Sequence, residues 1–108
     1  MAWSPTQETR TLATFDELKA AYAKPDARVW IDLEDPDRDL LDELAKLFGL
    51  HPLITEDILE SNQRAKVEVT GDDLHIVIFA LHHDDDRIVN HEIDIVLGQR
   101  FLLTAHDP

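Results

Sequence analysis

The chain has 108 residues, room for one domain with one hydrophobic core. It carries 23 Asp and Glu against 10 Lys and Arg, a net charge of -13. That balance argues against nucleic acid or an anionic membrane surface as partner, since both need basic patches, and it favours cations. The absence of cysteine excludes disulfides, thiolate catalysis and cysteine-based zinc sites.

Residues 1–10 are polar, contain no apolar signal-peptide core and are expected to be disordered or frayed. Thr14-Phe15-Asp16-Glu17 fits a capping box, with Thr14 as cap and Glu17 reaching back. Phe15, Leu18, Ala21 and Tyr22 then recur at helical spacing, and Pro25 ends the helix. Arg28–Leu33 alternates, with Val29, Ile31 and Leu33 on one side, and reads as a strand. Asp35-Pro36 is a helix-start signal, Asp35 as cap and Pro36 at the first helical position. Leu40, Leu41, Leu44, Leu47 and Phe48 form one apolar face, Asp42 and Lys46 lie four apart on the outside, and Gly49 is a helix stop. His51-Pro52 opens a second short helix, to about Glu60, with Ile54 and Ile58 inward. Ser61-Asn62 is turn-like.

From Lys66 the period changes to two, Val67 and Val69 alternating with Lys66 and Glu68. Gly71-Asp72-Asp73 signals a turn. Leu74–Leu81 is apolar on both faces apart from His75, which predicts a central strand covered on both sides. This longest apolar stretch is far short of the ~20 residues of a membrane-spanning helix. His82–Arg87 reads as a polar loop. Val89, Ile93, Ile95 and Leu97 mark one face of the next strand, with Asn90, Glu92 and Asp94 on the other. Gly98-Gln99-Arg100 turns into the last strand, Phe101–Ala105. Helices first, then strands joined by short turns, predict a mixed α+β or α/β domain over residues 11–108. Its sheet is expected to be mixed, antiparallel near the C-terminus and layered with helices.

Three stretches are dense in metal ligands. Glu56-Asp57 offers hard oxygens suited to Mg2+ or Ca2+. Neighbouring helical residues point about 100° apart, so the pair cannot easily chelate one ion without water and further ligands. The plainer role is two acids near a helix N-terminus, stabilised by its dipole. His82-His83-Asp84-Asp85-Asp86 combines residues that bind Zn2+, Co2+ or Ni2+. Adjacent loop residues rarely converge on one ion, so a solvated hairpin loop is the expectation. Asp32-Leu33-Glu34-Asp35-Pro36-Asp37-Arg38-Asp39 lacks the glycine of a calcium loop and reads as helix capping. His51, His75, His91 and His106 are scattered. Ser4 and Ser61 sit in no nucleophile elbow, and three glycines in the whole chain make no phosphate loop. No catalytic function is expected.

The stretch His51-Pro52-Leu53, Glu56-Asp57-Ile58-Leu59, then Asn62-Gln63-Arg64, Lys66 and Glu68, resembles the cytoplasmic N-terminal domain of the CorA family of divalent-cation transporters. Trp30-Ile31-Asp32-Leu33, Leu74–Leu81 and Glu92–His106 also look like that family, so the resemblance runs from about Val29 to His106. It implies an α/β/α layer with a mixed sheet. It implies a homopentamer whose cytoplasmic domains form a funnel on the inner side of the cell membrane. A stalk helix and two transmembrane helices then carry a pore for Mg2+, with Co2+ or Ni2+ also passing. Regulatory ions between neighbouring cytoplasmic domains hold such channels closed. By resemblance Asp57, with Glu56 beside it, contributes to that site, and the partner acid comes from the stalk region of a neighbouring subunit. Ala65 departs from the family's proline and relaxes a local turn.

The stalk, both membrane helices and their Gly-Met-Asn signature are absent from these residues, so nothing here conducts ions. The chain is expected to be a regulatory domain cut from a longer transporter, binding divalent cations weakly because half the ligands are missing. The other reading is a free-standing soluble metal-binding or interaction module with the same fold.

Overall fold

The elements follow in the order β1 (Ala2–Ser4), β2 (Gln7–Arg10), α1 (Phe15–Tyr22), β3 (Arg28–Glu34), α2 (Arg38–Phe48), α3 (Pro52–Glu60), β4 (Lys66–Thr70), β5 (Asp73–Asp84), β6 (Arg87–Leu97) and β7 (Phe101–His106). The computed structural model describes residues 2–4, 7–60 and 64–107, with side chains from Thr11 onward. The turn expected at Ser61-Asn62 lies outside the described residues.

Local chemistry sets the helix ends. At α1, Thr14 Oγ1 accepts from the Glu17 N–H at 3.1 Å, and the Glu17 carboxylate accepts from the Ala13 N–H at 2.6 Å. The expected cap of α2 needs correction. Asp35 has a left-handed φ of 49° and donates its N–H to the His106 carbonyl at 2.8 Å. It therefore ends β3 instead of starting a helix. The cap is Asp37, with extended backbone and a carboxylate that accepts from the Leu40 N–H at 2.8 Å. Gly49 closes α2 at φ 71°, a conformation that a side chain would strain. At α3, His51 Nδ1 accepts from the Leu53 N–H at 3.1 Å, and Pro52 takes the first helical position, where it has no hydrogen bond to lose.

The strands form one mixed sheet in the order β2-β1-β3-β7-β6-β5-β4. Strands β3 and β7 are parallel, Val29 opposite Phe101 through Glu34 opposite His106, and every other neighbour pair is antiparallel. No element was expected in residues 1–10. The backbone of β1 and β2 instead extends the sheet past β3, which would otherwise present an unpaired edge.

The three helices cover one face of the sheet. Leu18 and Ala21 of α1, Leu41 and Leu44 of α2, and Ile54 and Ile58 of α3 pack with Val29, Leu33, Val96, Phe101, Leu103 and Ala105. Phe101 stacks on Phe48, whose ring meets Tyr22 edge-on. Arg100 lies over the Tyr22 ring, and its Nη1 donates to the carbonyls of Tyr22, Lys24 and Ala27, satisfying the C-terminal end of α1.

The opposite face is bare. Period-two alternation puts Trp30, Leu97, Val69 and Val67 there, and Val69 is 74% exposed. Strand β5 is thus not covered on both sides as its composition predicted. Nor is it central: it lies next to the edge strand β4, and Ile78, Phe79 and Leu81 are exposed. Pairing continues from Leu74 opposite Leu97 to Asp84 opposite Arg87, so most of the expected loop at 82–87 is strand. Asp85, at φ 53°, turns the hairpin with Asp86. The chain has a long axis of 48 Å and a radius of gyration of 14.9 Å, against about 13 Å for a compact chain of this size. Among the described residues no helix is long and apolar enough to cross a membrane.

Candidate functional site

Helix α3 carries both expected ligands, and the turn between successive positions sends them apart. Glu56 points to α2, where Arg38 Nη1 donates to its Oε1 at 3.0 Å in an exposed pair that raises the Arg38 pKa. Asp57 points to β4, where Lys66 Nζ donates to its Oδ2 at 2.8 Å. The same ammonium lies 3.0 Å from Glu68. These hydrogen bonds, the one to Asp57 foremost, raise the Lys66 pKa. The two carboxylates therefore do not converge.

Behind Asp57 lies a pair that the sequence reading did not single out. His75 and Asp94 are buried on the helix-covered face of β5 and β6, with Nε2 and Oδ1 3.0 Å apart. With the Asp94 oxygen as acceptor, His75 donates from Nε2. Its other nitrogen, Nδ1, lies 4.0 Å from Asp57 Oδ2. Glu68, Lys66, Asp57, His75 and Asp94 thus form a line of polar groups from the surface into the core, drawn from α3 and three strands. One signal for it was available: single polar residues interrupt the apolar runs at His75 and Asp94.

Among the described residues no group of three or more His, Asp or Glu side chains is placed to hold a metal ion. At Asp57 the Lys66 ammonium occupies the space beside the carboxylate. Replacing it by methionine (Lys66→Met) should strengthen Mg2+ binding at Asp57. An ion pair of about 1 kcal/mol competes there, so the gain is about fivefold, read from carboxylate NMR shifts in a Mg2+ titration. Unchanged affinity would show that Lys66 does not compete.

The acids of residues 32–39 serve local structure, as expected, though through different members. Besides Asp37 as cap, Asp32 on the bare face accepts from Thr104 Oγ1 at 2.6 Å and pairs with His106 Nε2 at 3.0 Å. The Thr104 hydrogen bond, then that of His106, lowers the Asp32 pKa, and the Asp32 hydrogen bond raises that of His106. Stability from the raised histidine is complete below its unfolded value of about 6.5 and is lost as pH rises through the folded value. Stability from Asp32 is present above about pH 4 and is lost as pH falls through its lowered value. The pair contributes most between these limits. Between about pH 6 and pH 8 the native chain should lose more stability than a His106→Gln variant, by less than about 1 kcal/mol because the pair is exposed. Equal urea midpoint shifts in the two proteins would remove the assignment.

The other ligand-dense stretch is divided by the strand. His82 and Asp84 share one face of the hairpin, and His83 takes the other.

A family model described as CorA-like Mg2+ transporter protein matches residues 26–108. The cobalt/magnesium transport protein CorA of Thermotoga maritima is 28% identical over 101 residues, which are 90% of this chain and 29% of that protein. The magnesium transporter ALR2 of Saccharomyces cerevisiae is 34% identical over 100 residues, 88% of this chain and 11% of that one. The solved soluble domain of CorA from Methanocaldococcus jannaschii superposes with a TM-score of 0.61 at 28% identity, covering 72% of this chain and 31% of that one. The chain spans less than a third of the length of each.

Proposed function

The chain belongs to the CorA family, and from that membership we propose that it is the cytoplasmic regulatory and assembly domain of a Mg2+/Co2+ transporter. In this reading it lies on the inner side of the cell membrane, joins other subunits of the same protein in a pentameric funnel, and biases the pore without conducting ions itself. The observation that carries the reading is the bare sheet face. A domain that leaves Trp30, Val67, Val69 and Leu97 exposed on one surface is built to meet more protein. The likeness to an independently solved CorA soluble domain supports the same placement.

Gating follows from charge. Domains of net charge -13 repel one another when gathered around an axis. A divalent ion at Asp57, shared with an acid of a neighbour, neutralises that repulsion and favours the closed packing. When Mg2+ falls, the site empties and the interface loosens. Glu56, held by Arg38, flanks the site. Lys66 keeps the Asp57 carboxylate in place when the ion is absent, so the ion must displace it, and binding to the isolated domain is weak.

The test is Mg2+ uptake by cells expressing the gene that encodes these residues, with Asp57→Asn beside the native protein. The expected result is Mg2+-dependent uptake that high internal Mg2+ suppresses in the native protein and no longer suppresses in the variant. Suppression that survives the substitution would remove Asp57 from the site. No uptake in either protein would leave the free-standing module.

A further inference from the structure

The distal β5–β6 hairpin carries a second cluster of ligands, which the proposed gating site does not use. His82 pairs directly with Val89, and His91 with Ala80, so the two histidines are diagonal neighbours across the ladder. Both lie on the face opposite the helices. Their ring centroids are 6.0 Å apart and the planes are inclined at 62°. The small Ala80 leaves space beside His91, and His82 is open to solvent. Two imidazoles on one tetrahedral ion, each at a metal–nitrogen distance of about 2.0–2.1 Å, have centroids roughly 5 Å apart. Closing that difference of about 1 Å asks for rotation of the two side chains toward one another.

We propose that His82 and His91 form a bidentate site for a divalent transition-metal ion that prefers nitrogen, such as Ni2+ or Zn2+, with water in the remaining positions. Imidazole suits these ions and not Mg2+, which demands oxygen ligands. Asp84 on the same face, with Asp85 and Asp86 at the hairpin tip, adds negative potential that concentrates cations there. The site rests on the pairing of the two strands. It is therefore different in kind from a loop of clustered ligands, in which adjacent residues would contribute alike.

His83 provides the internal control. It is next to His82 in sequence, and strand alternation sends it through the sheet to the other face. The experiment is a Ni2+ titration of the 108-residue chain, followed by calorimetry and by histidine ring NMR signals, with circular dichroism to confirm the fold. The expected result is one site, with His82 and His91 signals changing together and Mg2+ causing no change at those rings. His82→Ala and His91→Ala should each weaken binding by about tenfold or more, because each turns a chelate into a single-ligand contact. His83→Ala should leave it unaltered. If His83→Ala weakens binding as much as His82→Ala, or if neither His82→Ala nor His91→Ala weakens it more than about twofold, the paired site does not exist.

Discussion

Replacing Asp94 by alanine should destabilise the domain by about 3 kcal/mol, a large part of the roughly 5–15 kcal/mol that holds a domain folded. The carboxylate is the hydrogen-bond partner of His75 Nε2 at 3.0 Å, and His75 is only 1% exposed. Without Asp94 the buried N–H of His75 loses its acceptor. The desolvation of that group costs about 1–3 kcal/mol, and the void left by the carboxylate adds to it. Asp94→Asn separates the two contributions. It keeps the volume and an acceptor oxygen, so it should be milder. Replacing both partners by apolar residues, His75→Leu with Asp94→Leu, should recover much of the loss, because no polar group is then left unsatisfied. Urea unfolding reads all three variants through the midpoint at constant slope. A loss below about 1 kcal/mol for Asp94→Ala would mean that the pair adds nothing to the core.

Leu103→Ala should cost about 3 kcal/mol or more, within the range of about 2–5 kcal/mol for fully buried leucines. Leu103 is 0% exposed on β7, between Ile31 of β3 and Val96 of β6, under the helices. The matching experiment is on the other face. Val67→Thr and Val69→Thr, at positions 70% and 74% exposed, should change stability by less than about 0.5 kcal/mol in the isolated chain. The contrast tests which side of the sheet the helices cover. A cost at Val67 or Val69 comparable to that at Leu103 would overturn the assignment of a bare face. It would also remove the observation on which the proposed assembly role rests.

Most element boundaries were legible in the sequence, because they depend on neighbours a few residues apart. Thr14 and Glu17 begin α1, Gly49 ends α2, and Pro52 starts α3, each through contacts within about one helical turn. The mixed sheet with an antiparallel C-terminal part was also legible, since short turns join β4 to β5, β5 to β6 and β6 to β7. The divergence of Glu56 and Asp57 followed from helix geometry alone. The cap of α2 was misplaced by two residues for a tertiary reason. Asp35 is claimed by the β3–β7 ladder, through its bond to His106, and that claim outweighs a good local signal.

By itself, then, the sequence determined most helix and strand boundaries from Phe15 onward, the family pattern from Val29 to His106, and the acidic character of the chain. Only the tertiary structure decided which phase of each alternation faces inward. In β4 that phase is Lys66 and Glu68, not the valines, because Asp57 of α3 waits on that side for a cation. Only the fold could join His75 to Asp94, 19 residues apart, or His106 to Asp32, 74 residues apart. Periodicity specifies that a strand has two faces. Which face meets the helices depends on how distant segments meet, and that is a property of the whole chain.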